Sequence, residues 1–157
     1  MKKIFFILTT FMLFLGLSIS THAALIDLGD GMIYSTELDL TWLQDANYAQ
    51  TSGFSSTGEM DWYTANTWAT TLVYAGLDGW RLPTYDPLTV GQCPYSLPPS
   101  TDHEMRYLNE IELGRCPITS GASYLPFMNI PDPPHYWSGT SPFDDPSTRF
   151  YYWFECG

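Results

Sequence analysis

Proline is confined to one half of this chain, and its distribution limits where regular structure can form. All twelve prolines lie at or after Pro83 in a sequence of 157 residues. Proline lacks a backbone N–H, so it interrupts both helices and central strands. We therefore expect regular elements within residues 24–82, whereas residues 83–149 should form mostly loops and short elements.

Residues 25–43 have the pattern of an antiparallel meander. Apolar runs lie on both sides of Gly29, Asp30 and Gly31, a turn signal in which glycine supplies positive φ. A second turn precedes residues 40–43, whose β-branched and aromatic side chains favour a third short strand. The sequence thus predicts three consecutive strands joined by tight turns.

Two later segments have helical periodicity. The first has apolar side chains at i, i+3, i+4 and i+7, with Asp61 as its expected N-cap and Gly76 as its expected stop. In the second, Thr101 and Glu104 match a capping box, and Gly114 should end the helix. Each helix has a single apolar face, so each must pack against another element.

Aromatic side chains dominate the end of the chain. Residues 136–138 and 149–154 predict two strands joined by a turn at residues 141–147. Strands, two helices and then strands indicate an α+β fold. We expect one domain over residues 24–157, because neither half alone has the size of a comfortable independent fold.

The N-terminus has the features of a secretory signal. Two lysines precede the apolar residues 4–17, and the small residues Thr21 and Ala23 are spaced for signal peptidase. This apolar run is shorter than the roughly 20 residues that a membrane-spanning helix needs. Residues 1–23 are therefore predicted to be a signal peptide, with a periplasmic, cell-surface or extracellular product and no stable membrane insertion after cleavage.

The charge of the exported chain restricts its partners. Residues 24–157 contain four arginines, no lysine and all 17 acidic residues, which gives a formal net charge of −13. Such a domain repels phosphate backbones and anionic lipid surfaces. Nucleic acid and anionic membranes are therefore excluded as expected partners.

Three segments match a pattern seen in a known family: LTWLQDANYA at 40–49, MDWYTANTWATTLVYAGLDGWRLPT at 60–84 and YWSGT at 136–140. Together they resemble the Lcl C-terminal domain family, a domain of unknown function in secreted bacterial proteins. The similarity covers most of residues 25–154, and residues 79–84 are its most specific part. Positions of the family motif that we expect to be structural are Trp42, Gly79, Trp80, Arg81, Leu82, Pro83, Tyr136, Trp137 and Ser138.

This resemblance implies a C-type-lectin-like fold, in which two helices flank small antiparallel sheets and long irregular loops. It also implies an adhesive role at the bacterial surface, because the namesake domain binds sulfated glycans. The family continues into a further strand pair after its last aromatic strand, whereas this chain stops at Gly157. We therefore expect that the domain either closes early or is truncated at its C-terminus.

Several residues of the motif region have structural interpretations. Trp80 and Leu82 should alternate on a strand that enters the core, and Arg81 should pair with a carboxylate. His103 is expected to be a solvent-exposed residue of a first helical turn. Large side chains expected to fill the core are Trp42, Trp62, Trp68, Trp80 and Trp137.

Three cysteines are present in the chain. A bridge between Cys93 and Cys116 would close a loop of intermediate length in an oxidising compartment and contribute about 3 kcal/mol. Cys156 would then be left over; the alternatives are that it pairs with either of the others or links two chains as a disulfide dimer. No C-x-x-C spacing occurs, which argues against zinc.

Calcium is the metal that best suits the acidic residues, because it prefers several oxygen ligands. Asp144 and Asp145 form the local pair that we consider as a calcium site, with solvated carboxylates as the alternative. No G-x-S-x-G motif or other catalytic constellation occurs, so we do not expect an enzyme.

A non-enzymatic lectin-like module is therefore the leading hypothesis for this chain. It would bind a glycan or another surface polymer through loops at residues 85–100 and 120–147. Aromatic residues expected to be exposed there and to bind the ligand are Tyr85, Tyr95, Tyr124 and Phe143. The alternative is a disulfide-tied envelope or matrix protein that assembles through Cys156.

Overall fold

Two small antiparallel sheets and a few short helices make up the part of the chain that the structure describes. The computed structural model describes residues 24–86, 101–114, 125–132, 134–140 and 149–153. The elements, in chain order, are β1 (Leu25–Gly29), β2 (Met32–Ser35), β3 (Leu40–Leu43), α1 (Tyr48–Thr51), α2 (Trp62–Thr71), α3 (Glu104–Tyr107), its π-helical continuation (Leu108–Glu112), β4 (His135–Trp137) and β5 (Tyr151–Trp153). The architecture is α+β, as the sequence predicts.

The predicted meander is confirmed in its strands, turns and order. β1, β2 and β3 form a three-stranded antiparallel sheet in which Ile33 pairs with Trp42. Gly29, Asp30 and Gly31 all have positive φ in the turn between β1 and β2. A Cβ atom on Gly31 would collide with the hydroxyl of Tyr74, so a larger residue here would have to displace Tyr74 as well as adopt a strained positive φ.

Helix α2 begins where the sequence predicts and ends earlier. Asp61 is its N-cap, and Oδ1 of Asp61 accepts a hydrogen bond from the Thr64 amide at 3.0 Å. The predicted stop at Gly76 is wrong: the helix ends at Thr71, because Leu72 already has an extended ψ of 133°. Gly76 instead has a φ of +79° in a tight turn further along the chain.

Helix α3 has a different N-terminus from the predicted one. The capping box of Thr101 with Glu104 does not form, because His103 is the N-cap and its Nδ1 accepts from the Arg106 amide at 3.2 Å. The carboxylate of Glu104 instead accepts two hydrogen bonds from Arg81. Gly114 follows the π-helical continuation with a φ of +60°, which confirms it as the end of the helical segment.

The core lies between the three-stranded sheet and α3. Ile33 of β2 packs in one buried cluster with Met105 and Leu108 of the helical segment and with Phe127. Partly buried residues that pack on this cluster are Leu25, Trp42, Leu113, Ile130, Tyr136 and Tyr152. The helix is therefore fixed to the meander by burial of its apolar face.

The second sheet confirms the predicted pair of aromatic strands. β4 and β5 are antiparallel, and Tyr136 pairs with Tyr152. The predicted turn at residues 141–147 and the signal segment 1–23 lie outside the described residues. Among the helices that are described, none combines the length and the apolar character that crossing a membrane requires.

Candidate functional site

Two of the three segments that carry the family resemblance, residues 60–84 and 136–140, meet in space through two tryptophans. Nε1 of Trp137 donates a hydrogen bond to the Met60 carbonyl at 2.9 Å. In return, Nε1 of Trp62 donates to the Ser138 carbonyl at 2.7 Å. Both indoles are partly buried, so each ring packs while its polar atom is satisfied. This exchange ties the start of α2 to the end of β4.

Residues 139 and 140, directly after β4, also form hydrogen bonds with residues 83 and 85. The Gly139 amide donates to the Pro83 carbonyl at 2.8 Å, and the Tyr85 amide donates to Oγ1 of Thr140 at 2.9 Å. A Cβ atom on Gly139 would lie 3.2 Å from the Leu82 carbonyl oxygen, so the two backbones approach closely. The proline-containing motif is thereby fixed without a strand ladder.

Arg81 is the residue of this motif that joins it to α3. Its Nη2 and Nη1 donate to Oε1 and Oε2 of Glu104 at 2.6 and 2.9 Å, and the Thr84 amide donates to Oε2 at 2.8 Å. Burial raises the pKa of the Glu104 carboxyl, but these hydrogen bonds outweigh it and the pKa is lowered overall. The prediction that Arg81 pairs with a carboxylate is confirmed.

The predicted strand through Trp80 and Leu82 is wrong. Both residues lie in an irregular segment and are partly buried. Nε1 of Trp80 donates to the Leu77 carbonyl at 3.1 Å. The segment forms no strand ladder, because its backbone groups bond to the side chains of Glu104 and Thr140 and to the Gly139 amide after β4.

A cavity of about 670 Å³ opens where these segments converge. We call it the aromatic cleft. Its aromatic wall consists of Trp42, Tyr48, Trp68, Trp80, Phe127, Tyr136, Trp137 and Tyr151. The volume is within the range of about 300–1,000 Å³ that is typical of small-ligand sites. All three segments of the family resemblance contribute residues to it.

The rings on one side of the cleft hold each other in place. Tyr48 meets Tyr74 edge to face at 4.9 Å between ring centroids, and Tyr74 meets Trp80 in the same way at 6.0 Å. Tyr48 also lies 6.4 Å from Trp68. Because each ring is contacted by another, this wall is positioned before any ligand binds.

Tyr151 gives the cleft an exposed aromatic rim. Its side chain is 57% exposed, and its ring meets Trp137 edge to face at 6.3 Å. His135 lies beside it, 5.4 Å between ring centroids. A ring held at one edge and open on a face is suited to stacking against a ligand.

Polar residues lie among the aromatic rings. Asp45 accepts from the Asn47 amide at 2.9 Å and from Nδ2 of Asn129 at 2.9 Å. Glu59 and Asp132 also line the cleft and are exposed. A mainly aromatic cavity with a few carboxylates and amides is the usual composition of a binding pocket.

Tyr85 and His103 differ from their predictions. Tyr85 is partly buried rather than exposed, and its role in ligand binding stays a prediction. Its ring stacks on Phe150 at 4.5 Å and lies 4.2 Å from the His103 ring, because a large ring gains more from burial than from contact with water. His103 is 2% exposed rather than at the surface. Burial, with the nearby charge of Arg106, lowers its pKa to about 4.

The other predicted site residues lie outside the described residues, and their assignments stay predictions. These are Cys93, Tyr95, Cys116, Tyr124, Phe143, Asp144, Asp145 and Cys156. Within the part of the chain that is described, no group of three or more His, Cys, Asp or Glu residues is arranged to hold a metal ion. The calcium site and the disulfide are therefore neither confirmed nor contradicted.

The cleft itself was not predicted from the sequence. The sequence assigned Trp68, Trp80 and Trp137 to the core, and it did not single out Tyr48 or Tyr151. All the predicted core tryptophans are partly rather than fully buried. The available signal was that all three segments of the family resemblance combine aromatic with polar residues.

Comparisons of the chain with family models, with curated proteins and with solved structures gave no match. The resemblance to the Lcl C-terminal domain family accordingly rests on the three segments alone.

Proposed function

We propose that this chain is a non-enzymatic binding module that holds a glycan in the aromatic cleft. The observation that carries the proposal is the cavity of about 670 Å³, whose aromatic wall lies beside the polar side chains of Asp45, Glu59 and Asp132. A sugar ring has apolar C–H faces and polar edges, so it needs flat apolar surfaces next to hydrogen-bonding groups. The aromatic cleft offers both.

The charge of the chain supports a neutral or cationic glycan in preference to a sulfated one. The full chain has a formal net charge of −11, and the part after residue 23 is more acidic still. Like charges across an interface cost binding energy and slow association. We therefore do not propose the sulfated ligands that the family resemblance implies.

The wider assignment of this protein is part of the same proposal. The meander, helices and second strand pair occur in the order that a C-type-lectin-like member of the Lcl C-terminal domain family would have. The basic start and apolar segment of residues 1–23 support export to the periplasm, the cell surface or the exterior. Glycans are the abundant polymers in those places.

A glycan array with matched tyrosine variants tests this function. The array should contain neutral, amino and sulfated oligosaccharides, probed with the purified protein, with Tyr151→Ala and with Tyr63→Ala. Tyr151 lines the cleft and is 57% exposed, whereas Tyr63 is 66% exposed and is not among the described residues that line it. Neither truncation should disturb folding, because both rings are largely in water.

The proposal predicts binding to a neutral or amino glycan that Tyr151→Ala weakens about 3- to 10-fold, as expected for loss of one aromatic contact. Tyr63→Ala should bind as the unmodified protein does. The bound oligosaccharide should be recovered at its original length. Binding to no glycan on the array, equal effects of both variants, or a shortened oligosaccharide would contradict the proposed function.

A further inference from the structure

The charged residues of the aromatic cleft are mostly of one sign. Asp45, Glu59 and Asp132 line it. The basic residues among the described residues that line it are Arg81 and His135. The guanidinium of Arg81 does not offset them, because Glu104 holds it through two hydrogen bonds of 2.6 and 2.9 Å. The cleft therefore presents uncompensated carboxylates beside its aromatic wall.

The segments that carry these three carboxylates lie next to one another. Asn47 follows Asp45 by two residues, and its side chain lies so close to Gly58 that a Cβ atom on Gly58 would collide with it. Glu59 is the residue after Gly58. On the other side, Oδ2 of Asp45 accepts from Asn129, which is three residues before Asp132. A backbone hydrogen bond also joins the segment of Asp45 to that of Asn129, since the Ala46 amide donates to the Met128 carbonyl at 3.0 Å.

None of the three carboxylates has an ion-pair partner among the described residues. The ion pairs there are Arg81 with Glu104 and Arg106 with Glu110. Glu59 and Asp132 are exposed, so their charges are directed toward solvent or a ligand. Oδ1 and Oδ2 of Asp45 each accept one hydrogen bond, which leaves further lone pairs and the whole negative charge.

We propose that the glycan held in the aromatic cleft carries free amino groups, as in a polymer of glucosamine that is not N-acetylated. This inference rests on the proposed function and names the class of sugar. The protonated amines pair with Glu59, Asp132 and Asp45, while the faces of the sugar rings stack on the aromatic wall. An ammonium group next to an indole or phenol face gains a cation–π interaction as well.

The inference is tested by comparing two hexasaccharides that differ only in their amines. Glucosamine hexamer and N-acetylglucosamine hexamer are titrated into the purified protein by calorimetry at about pH 6, below the pKa of a primary amine. The variants are Glu59→Gln and Asp132→Asn. Glu37→Gln is the matched control, because Glu37 is exposed and is not among the described residues that line the cleft.

We expect the glucosamine hexamer to bind at least 10-fold more tightly than the acetylated one in low salt. The preference should shrink several-fold in Glu59→Gln and in Asp132→Asn, should be unchanged in Glu37→Gln, and should weaken as salt is added. The N-acetylated hexamer should bind all four proteins alike.

The remaining outcomes separate this inference from the function on which it rests. Equal affinity for the two hexamers, with loss of both on Tyr151→Ala, would overturn the inference and leave glycan binding in the cleft. An equal loss of glucosamine binding in Glu37→Gln would overturn it too, because the attraction would then come from the net charge. Binding of neither hexamer would overturn the inference, and the glycan array would decide the function.

Discussion

Arg81 and Glu104 join the motif segment to α3 through two parallel hydrogen bonds of 2.6 and 2.9 Å. The pair is asymmetric: the side chain of Glu104 is 10% exposed, whereas that of Arg81 is 51% exposed. The carboxylate also accepts from the Thr84 amide. The buried Glu104 carboxylate therefore relies on Arg81 to balance its charge, whereas water can also hydrate the exposed Arg81 guanidinium.

This asymmetry predicts unequal costs for removing the two charges. Arg81→Met should lower the free energy of unfolding by about 2 kcal/mol, because it leaves a mostly buried carboxylate without its cation. Glu104→Gln should cost about 1 kcal/mol, because the amide oxygen still accepts from Thr84 and the guanidinium turns to water. Urea unfolding of each variant measures both values.

The control for this comparison is Glu59→Gln, an exposed carboxylate with no ion-pair partner among the described residues. It should change stability by less than about 0.5 kcal/mol. If Glu104→Gln lowered the free energy of unfolding more than Arg81→Met, the claim that Glu104 relies on Arg81 more than Arg81 relies on Glu104 would be wrong.

His103 predicts an acid-sensitive stability. It is 2% exposed, and its Nδ1 accepts from the Arg106 amide, which requires the neutral ring. Burial and Arg106 lower its pKa from 6.5 to about 4, so the unfolded chain binds a proton that the folded chain does not. The free energy of unfolding should therefore fall as the pH falls through this window, by about 3 kcal/mol in all.

Asparagine is the replacement for His103 that tests this prediction. His103→Asn keeps an oxygen that can cap the helix and removes the titrating ring. Its unfolding free energy should be lower than that of the unmodified protein at pH 6.5, but should change less between pH 6.5 and 4.5. The range stops at pH 4.5 because the carboxyl groups of the unfolded chain take up protons below it. Parallel pH profiles for the two proteins would refute the assignment.

Gly58 and Gly53 form a matched pair for testing the loop that borders the cleft. Both have positive φ, +86° and +79°, so alanine is strained at either position. Only at Gly58 would the new Cβ atom collide with Asn47, whose Nδ2 donates to Oε1 of Gln50. Gly53→Ala should cost about 1 kcal/mol, and Gly58→Ala about 1 kcal/mol more, in thermal or urea unfolding. Equal costs would mean that the contact with Asn47 does not matter.

The parts of the fold that the sequence predicted depend on residues close together in the chain. The turn at Gly29, Asp30 and Gly31 and the cap at Asp61 are local, because each is set by backbone conformation or by a hydrogen bond spanning three residues. The end of α2 was not predicted, because Leu72 becomes extended before Gly76 is reached.

The parts that the sequence did not predict depend on distant partners. Glu104 fits a capping box with Thr101, but Arg81 lies 23 positions away and offers two charge-assisted hydrogen bonds. His103 and Tyr85 are both polar enough for the surface, yet each buries its ring against the other. Likewise, the cleft is lined by residues from several separate segments, so no single sequence pattern marks it.

The most direct test of the account is whether a glycan touches the cleft tryptophans. The protein has six tryptophans, whose indole N–H groups give separate signals in a ¹⁵N-correlated NMR spectrum. Titration with glucosamine hexamer should shift the signals of Trp68, Trp80 and Trp137 more than that of Trp62, which is not among the described residues lining the cleft. Unchanged cleft signals at saturating hexamer, or a shift confined to Trp62, would contradict the claim that the aromatic cleft is the binding site.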